Sequence, residues 1–232
     1  MADHHHDHQH EDHGHDHNEP ITPEFWLKYW DSKEGRECNH QEVHECLLKY
    51  EDLALKGREK LKIFVPLCGK TYDIKWLADK GHEVVGIELS PVAVQQFFEL
   101  NNIEFSVSKV PSIQGDLYTS KLGNIRIYRG DFFLFSRNLE SNFQVVWDAG
   151  ALHSFPKSER DKYVDVVKSL MAPGCQYLLE EDVPSCSDRF EIADLKKSFG
   201  PNFTVEDLGF TKTDVAMLKE WEIEGFRIYH IY

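Results

Sequence analysis

Four stretches of this chain carry reactive side chains directly after apolar, β-prone runs. Pro66-Leu67-Cys68-Gly69 closes the run at 61–67, and Glu88 closes Val84-Val85-Gly86-Ile87. Asp131 follows Ile127-Tyr128-Arg129-Gly130, and Asp148-Ala149-Gly150 follows the run at 143–147. In open α/β sheets, ligands bind beyond the carboxyl ends of the strands, so these are the positions where a site is expected. Glu88 lies nineteen residues beyond Gly69. A carboxylate there accepts two hydrogen bonds from a ribose diol, the use that dinucleotide-binding sheets make of an acid at this offset. The alternative for Glu88 is a solvated charge at a strand end, a poor choice for closing so apolar a strand.

The loop before that acid has a single glycine, Gly69, where a pyrophosphate needs close backbone approach at several. Gly69-Lys70-Thr71 is not the end of a P-loop either, because the required earlier glycine is Phe64. An acid for a ribose without a phosphate cradle points to S-adenosyl-L-methionine, a nucleoside cofactor that has no phosphate. Asp131 is placed to reach an adenine amino group with Phe132 against the ring, or else is a plain turn aspartate. His153 follows the turn at 148–152. It suits contact with a substrate or acceptance of its proton, and equally a helix-start histidine. Cys68 reads as a small packing residue rather than a nucleophile. No metal site is expected among the catalytic residues.

The elements that position these residues alternate between strand and helix. Thr22-Pro23 starts a helix with an aromatic face of Phe25, Trp26, Tyr29 and Trp30. A second helix is predicted over 41–51, with His40 as a cap or packing residue. Strands are predicted over 61–67, 83–89, 125–128, 143–147 and 176–179, with helices over 71–80, 90–100, 158–171 and 192–199. Two terminal strands are expected near 203–208 and 226–232. The alternation predicts an α/β fold: a mainly parallel sheet, helices on both faces, and a C-terminal antiparallel hairpin at one edge.

The 232 residues suffice for one sizeable domain, expected over 21–232. Residues 1–20 form a His/Asp-rich tail holding His4, His5, His6, His8, His10, His13, His15 and His17. It has too little apolar surface to offset ordering entropy, so disorder is expected, with weak divalent-metal binding as its one chemical capacity. The formal net charge of −14 argues against nucleic-acid and anionic-membrane partners. No apolar run is long enough to span a bilayer and no secretory signal is read. Five scattered cysteines without a Cys-x-x-Cys pair fit a reducing compartment, so a cytoplasmic location is expected; the chain is expected to be a monomer.

From about residue 22 onward the chain resembles the thiopurine S-methyltransferase family. The resemblance rests on Phe25-Trp26-Leu27-Lys28-Tyr29-Trp30, His40-Gln41-Glu42, Phe64-Val65-Pro66-Leu67-Cys68-Gly69-Lys70, the stretch from Lys75 through Gly81-His82-Glu83-Val84-Val85-Gly86-Ile87-Glu88 to Ser90, Trp147-Asp148-Ala149-Gly150-Ala151-Leu152, and Gln176-Tyr177-Leu178-Leu179. It implies a Rossmann-like class I methyltransferase with an N-terminal helical segment over the cofactor. By position it implies that Trp26 and Trp30 line or cover the cofactor, although both also suit a core aromatic stripe. It implies that Leu67 and Gly69 pass beside the cofactor's amino-acid part, that Glu88 holds the ribose, that Asp131 and Phe132 flank the adenine, and that Asp148 lies near the transferred methyl. Departures concern the acceptor: Ala149 replaces a family arginine, a second arginine is missing around Met217, and the loop over 180–189 is short. The resemblance thus implies a small thiol or related soft nucleophile as acceptor. The competing readings are an N- or O-methyltransferase of the same fold, a metal-handling protein acting through its tail, and, more remotely, a nicotinamide oxidoreductase.

Overall fold

A computed structural model describes residues 22–38, 41–184, 189–215, 218–219 and 222–232. The tail, His40 and Met217 lie outside the described residues. Thr22 caps α1 (Pro23–Asp31), its hydroxyl accepting the Phe25 N–H, and Pro23 occupies the first turn, where no donor is lost. Ser32 then caps a short α2 (Lys33–Glu37), which the sequence pattern did not announce. The next helix, α3 (Glu45–Leu55), starts four residues later than predicted, because His44 Nδ1 accepts the Cys46 N–H and fixes the helix start.

The alternating part follows: β1 (Lys62–Val65), α4 (Asp73–Asp79), β2 (Glu83–Glu88) and α5 (Pro91–Leu100), the last capped by Ser90. Two strands absent from the prediction come next, β3 (Phe105–Val110) and β4 (Gly115–Ser120). Then come β5 (Ile125–Arg129), β6 (Phe143–Ala149), α6 (Lys157–Leu170), β7 (Met171–Val183), α7 (Ile192–Phe199), β8 (Val205–Lys212) and β9 (Gly225–Ile231). The segment 180–183, expected as loop, continues β7 and pairs with β9.

All nine strands form one sheet in the order β3-β4-β5-β2-β1-β6-β7-β9-β8. The central pairings, β5-β2-β1-β6-β7, are parallel. Both ends are antiparallel: the expected β8–β9 hairpin at one edge, and β3–β4 at the other. Alternate residues of each central strand face opposite layers. Phe64, Val85, Val146, Tyr177 and Leu179 pack with Tyr163, Val167 and Phe199 of α6 and α7. Ile63, Val65, Val84, Val145 and Leu178 pack with Leu47, Ile74, Leu77 and Phe97 of α3 to α5. Each of these fully buried side chains contributes about 1.5–3 kcal/mol, so the two layers fix the strand ends rigidly. A smaller cluster of Tyr29, Trp30 and Ala93 docks α1 on α5. No helix among the described residues is long and apolar enough to cross a membrane.

Candidate active site

The parallel register levels the strand ends. Val65 pairs with Gly86 and Phe64 with Val146, so the loop after Val65 emerges between the ends of β2 and β6. Ala149 in turn pairs with Glu180. The ends of β2, β1, β6 and β7 therefore make one rim, with about 4.8 Å between neighbours.

The β1–α4 loop folds back over the end of β2. Leu67 and Gly69 both take positive φ, +44° and +51°, and Cys68 N–H bonds the Ile87 carbonyl at 3.0 Å. Gly69 N–H then reaches Glu88 Oε2 at 2.8 Å, while Ser90 N–H reaches Oε1 at 2.8 Å. Glu88 is buried. Burial raises its carboxyl above the usual range, and the backbone donors of Ser90 and Gly69 oppose that rise. Each oxygen accepts one N–H and keeps a further lone pair, which is what a vicinal diol requires. Gly69 cannot be replaced without disturbance, since a Cβ there would lie 2.7 Å from Trp30 Cζ2. Trp30 is buried on that glycine, and the half-buried Trp26 meets Tyr29 edge-on, ring centroids 5.8 Å apart. Gly130 N–H bonds the Glu88 carbonyl at 2.9 Å, so the exposed Asp131 follows directly beside that strand end. Asp131 Oδ1 accepts the Phe133 N–H at 2.8 Å. Phe132 is buried, stacked on Tyr163 with centroids 4.7 Å apart. These residues fit an adenosine-type cofactor.

Cys68 sits under Gly86, where an added Cβ would come within 2.7 Å of its Sγ. Burial pushes its thiol well up, so it packs and does not attack.

Asp148 stands at the end of β6 beside Ala149. It is fully buried, and its Oδ1 accepts the Ala151 and Leu152 N–H groups at 2.7 and 3.2 Å. Its Oδ2 accepts the Tyr163 and Tyr177 hydroxyls at 2.6 and 2.5 Å. Burial raises this carboxyl too, against the pull of those four donors. With every acceptor position in use, Asp148 shapes the turn at 149–152 and offers no oxygen to a substrate. His153, on that turn, is buried, and its Nε2 lies 3.3 Å from Asp182 Oδ2.

The sequence reading missed several groups. Lys70 is buried, its Nζ bonded to Gly35 O, Arg36 O and Gln96 Oε1. Asp73 joins two elements: it accepts the His44 N–H at 2.8 Å and the Trp147 indole N–H at 2.7 Å. Glu180 is buried at the rim with Oε2 3.1 Å from His44 Nε2, and burial together with Asp182, Asp73, Asp148 and Glu45 pushes its carboxyl well up. A signal for Glu180 existed: like Glu88, it is an acid directly after an apolar run. The partnerships of Lys70 and Asp73 span distant segments and leave no local pattern. His44, Cys46 and Glu180 have donor atoms within 4.8 Å of one another. His44 Nδ1 accepts a backbone N–H, so a neutral ring carries its proton on Nε2 and has no lone pair there for a metal.

A doubly wound sheet with a buried acid at the end of β2 and a one-glycine loop folded over it has the form of a Rossmann-like S-adenosyl-L-methionine-dependent methyltransferase. Solved structures agree on the fold. Magnesium protoporphyrin IX methyltransferase from Synechocystis PCC 6803 with bound SAM superposes with a TM-score of 0.62 at 15% identity, covering 90% of this chain and 95% of that one. The profile of the thiopurine S-methyltransferase family matches residues 21–227. Thiopurine S-methyltransferase of Bos taurus is 36% identical over 212 residues, 88% of this chain and 86% of that one. That of Rattus norvegicus is 33% identical over 217 residues, 90% of each. The chain belongs to the thiopurine S-methyltransferase family, and its cofactor is S-adenosyl-L-methionine.

Proposed function

We propose that this protein transfers the cofactor's methyl group to a small thiol or related soft nucleophile. The observation that carries the reading is the pair of aligned backbone donors on the buried Glu88, which pre-orients a carboxylate for a ribose diol. Bound there, the cofactor supplies a methyl group activated on a sulfonium. Glu88 holds the ribose, Leu67 and Gly69 flank the amino-acid part, Asp131 takes the adenine edge through its remaining oxygen, and Phe132 backs that edge from the core. Trp30 and Trp26 exclude water from above. The residues around Ala149 and Gly150 position the acceptor, and Asp148 holds their turn in shape. A thiol of pKa ~8.5 is already a few per cent thiolate at neutral pH, so the chain needs only a modest proton acceptor. His153, oriented by Asp182, is the group we assign to it.

The four described cysteines are buried and in no disulfide, which supports a reducing, cytosolic setting. We further propose that residues 21–232 are the catalytic domain and that the His-rich tail at 1–20 is a solvated appendage with weak affinity for divalent metals. The test is calorimetric titration of the tail-deleted chain with S-adenosylhomocysteine, NAD serving as control, followed by methyl transfer to a panel of thiols, amines and alcohols. Saturable one-to-one binding of S-adenosylhomocysteine alone and turnover of thiols are expected, with metal binding lost. Turnover of amines or alcohols only would replace the S-methyltransferase reading. Loss of methyl transfer with the tail would move function to it.

A further inference from the structure

We propose that Lys70 is a positioning residue for the cofactor, tying the helical cover α1–α2 to the loop that carries Gly69. The inference rests on the cofactor placement proposed above. Lys70 is 3% exposed. Its Nζ lies 2.8 Å from Gly35 O, 3.0 Å from Arg36 O and 2.9 Å from Gln96 Oε1, one acceptor for each of its three protons. The three acceptors are neutral, and burial lowers the ammonium's pKa. An apolar side chain would fill this space without that desolvation cost, so packing alone does not account for a lysine.

What the ammonium adds is direction. The Gly35 and Arg36 carbonyls belong to the last turn of α2, which lacks intrahelical donors, and a cation suits that helix end. Gln96 lies on α5, so three separate elements meet at one nitrogen. The same nitrogen is 5.6 Å from the Trp30 ring, which rests on Gly69. Gly35 transmits the constraint to α1, because a Cβ there would lie 2.1 Å from the Tyr29 carbonyl oxygen. The residue next to Gly69 in sequence thus holds, through α2, the tryptophan that lies on Gly69 in space.

The test uses Lys70→Met in the full chain, which keeps length and apolar volume, together with Gln96→Leu and Gln96→Glu, the last retaining an acceptor. Three quantities are read: the Kd for S-adenosylhomocysteine, the melting temperature without ligand, and the rate of tryptic cleavage at Lys28, Lys33 and Arg36 with and without ligand. For Lys70→Met we expect Kd to rise about 10-fold or more, as loss of even one charge-assisted hydrogen bond implies. Ligand protection of the three tryptic sites should disappear, while the remainder of the chain stays resistant. Gln96→Leu should show a smaller rise and Gln96→Glu none, which keeps the inference testable should Lys70→Met not fold. A folded Lys70→Met with unchanged Kd and unchanged protection would overturn the inference, as would equal Kd values for the two Gln96 variants. Failure of the unaltered protein to bind S-adenosylhomocysteine would instead reject the cofactor placement, and this inference with it.

Discussion

Replacing Glu88 by alanine tests the ribose assignment most directly. Two quantities change at once. In the folded, ligand-free protein the Gly69 and Ser90 N–H groups lose their acceptor in a buried place, which costs about 1–3 kcal/mol each where water does not reach them. In the complex, the diol loses its hydrogen bonds to a carboxylate, each worth about 1.5–3 kcal/mol. Loss of one such bond raises the Kd for S-adenosylhomocysteine roughly 10- to 150-fold, since about 1.4 kcal/mol is a factor of ten. The two effects are separated by repeating the calorimetric titration with the 2′,3′-dideoxy analogue. If Glu88 acts on the diol, the analogue binds the unaltered protein weakly, and the substitution costs it little more. Unchanged affinity of a folded Glu88→Ala protein would refute the reasoning. So would a penalty of equal size for both ligands, because Glu88 would then act only by shaping the loop.

Asp148→Ala strips four donors of their acceptor inside the core and should lower stability by about 3 kcal/mol or more, read as a shift of the urea midpoint. Tyr177→Phe, which removes one of those donors, should cost about 1 kcal/mol. Gly69→Ala should expel Trp30 from its contact, seen as a change in tryptophan emission together with weaker S-adenosylhomocysteine binding. Glu140 receives Arg126 Nε at 2.7 Å and Lys62 Nζ at 2.6 Å. Burial alone would raise its carboxyl, but these two cations prevail and hold it below the usual range. A lowered folded pKa means that its stabilisation is present above about pH 4.3, the unfolded value, and is lost as pH falls through the folded one. Glu140→Gln should therefore lower the urea midpoint at pH 6 and leave it nearly unchanged once the wild-type carboxyl is itself protonated.

The sequence shows the inner sheet clearly because each central strand is a short apolar run closed by a chemically distinct residue. The β3–β4 hairpin escaped notice for the opposite reason. Residues Phe105 to Lys109 of β3 are exposed, so no burial imposes a period on them. The extension of β7 through Glu180, Glu181 and Asp182 was hidden by charge. Buried Glu181 accepts the Phe190 N–H and the Tyr229 hydroxyl, partners invisible to a local pattern. Within the candidate site, Glu88 was legible from spacing, and Gly69 from the family resemblance. Asp148 was legible as important, but two of its four partners, the Tyr163 and Tyr177 hydroxyls, are set by tertiary contacts and leave no local pattern. Lys70 and Asp73 looked ordinary because everything they bind lies far away in sequence.

The docking of α3 has a consequence for the order of biosynthesis. This helix packs against β6 and β7, and its lead-in residue His44 is held by Asp73. Lys49 reaches Thr211 at 2.8 Å. All of these partners are translated after the helix, β7 more than a hundred residues later. At ~5–20 residues per second, α3 waits on the order of 10 s before that strand exists. During that interval Cys46, Leu47, Ala54 and Leu55 lack the β7 part of the surface they cover. A segment made early is thus among the last to be seated, and a nascent chain stalled before β7 exposes part of the apolar face of α3 to whatever chaperone attends the ribosome.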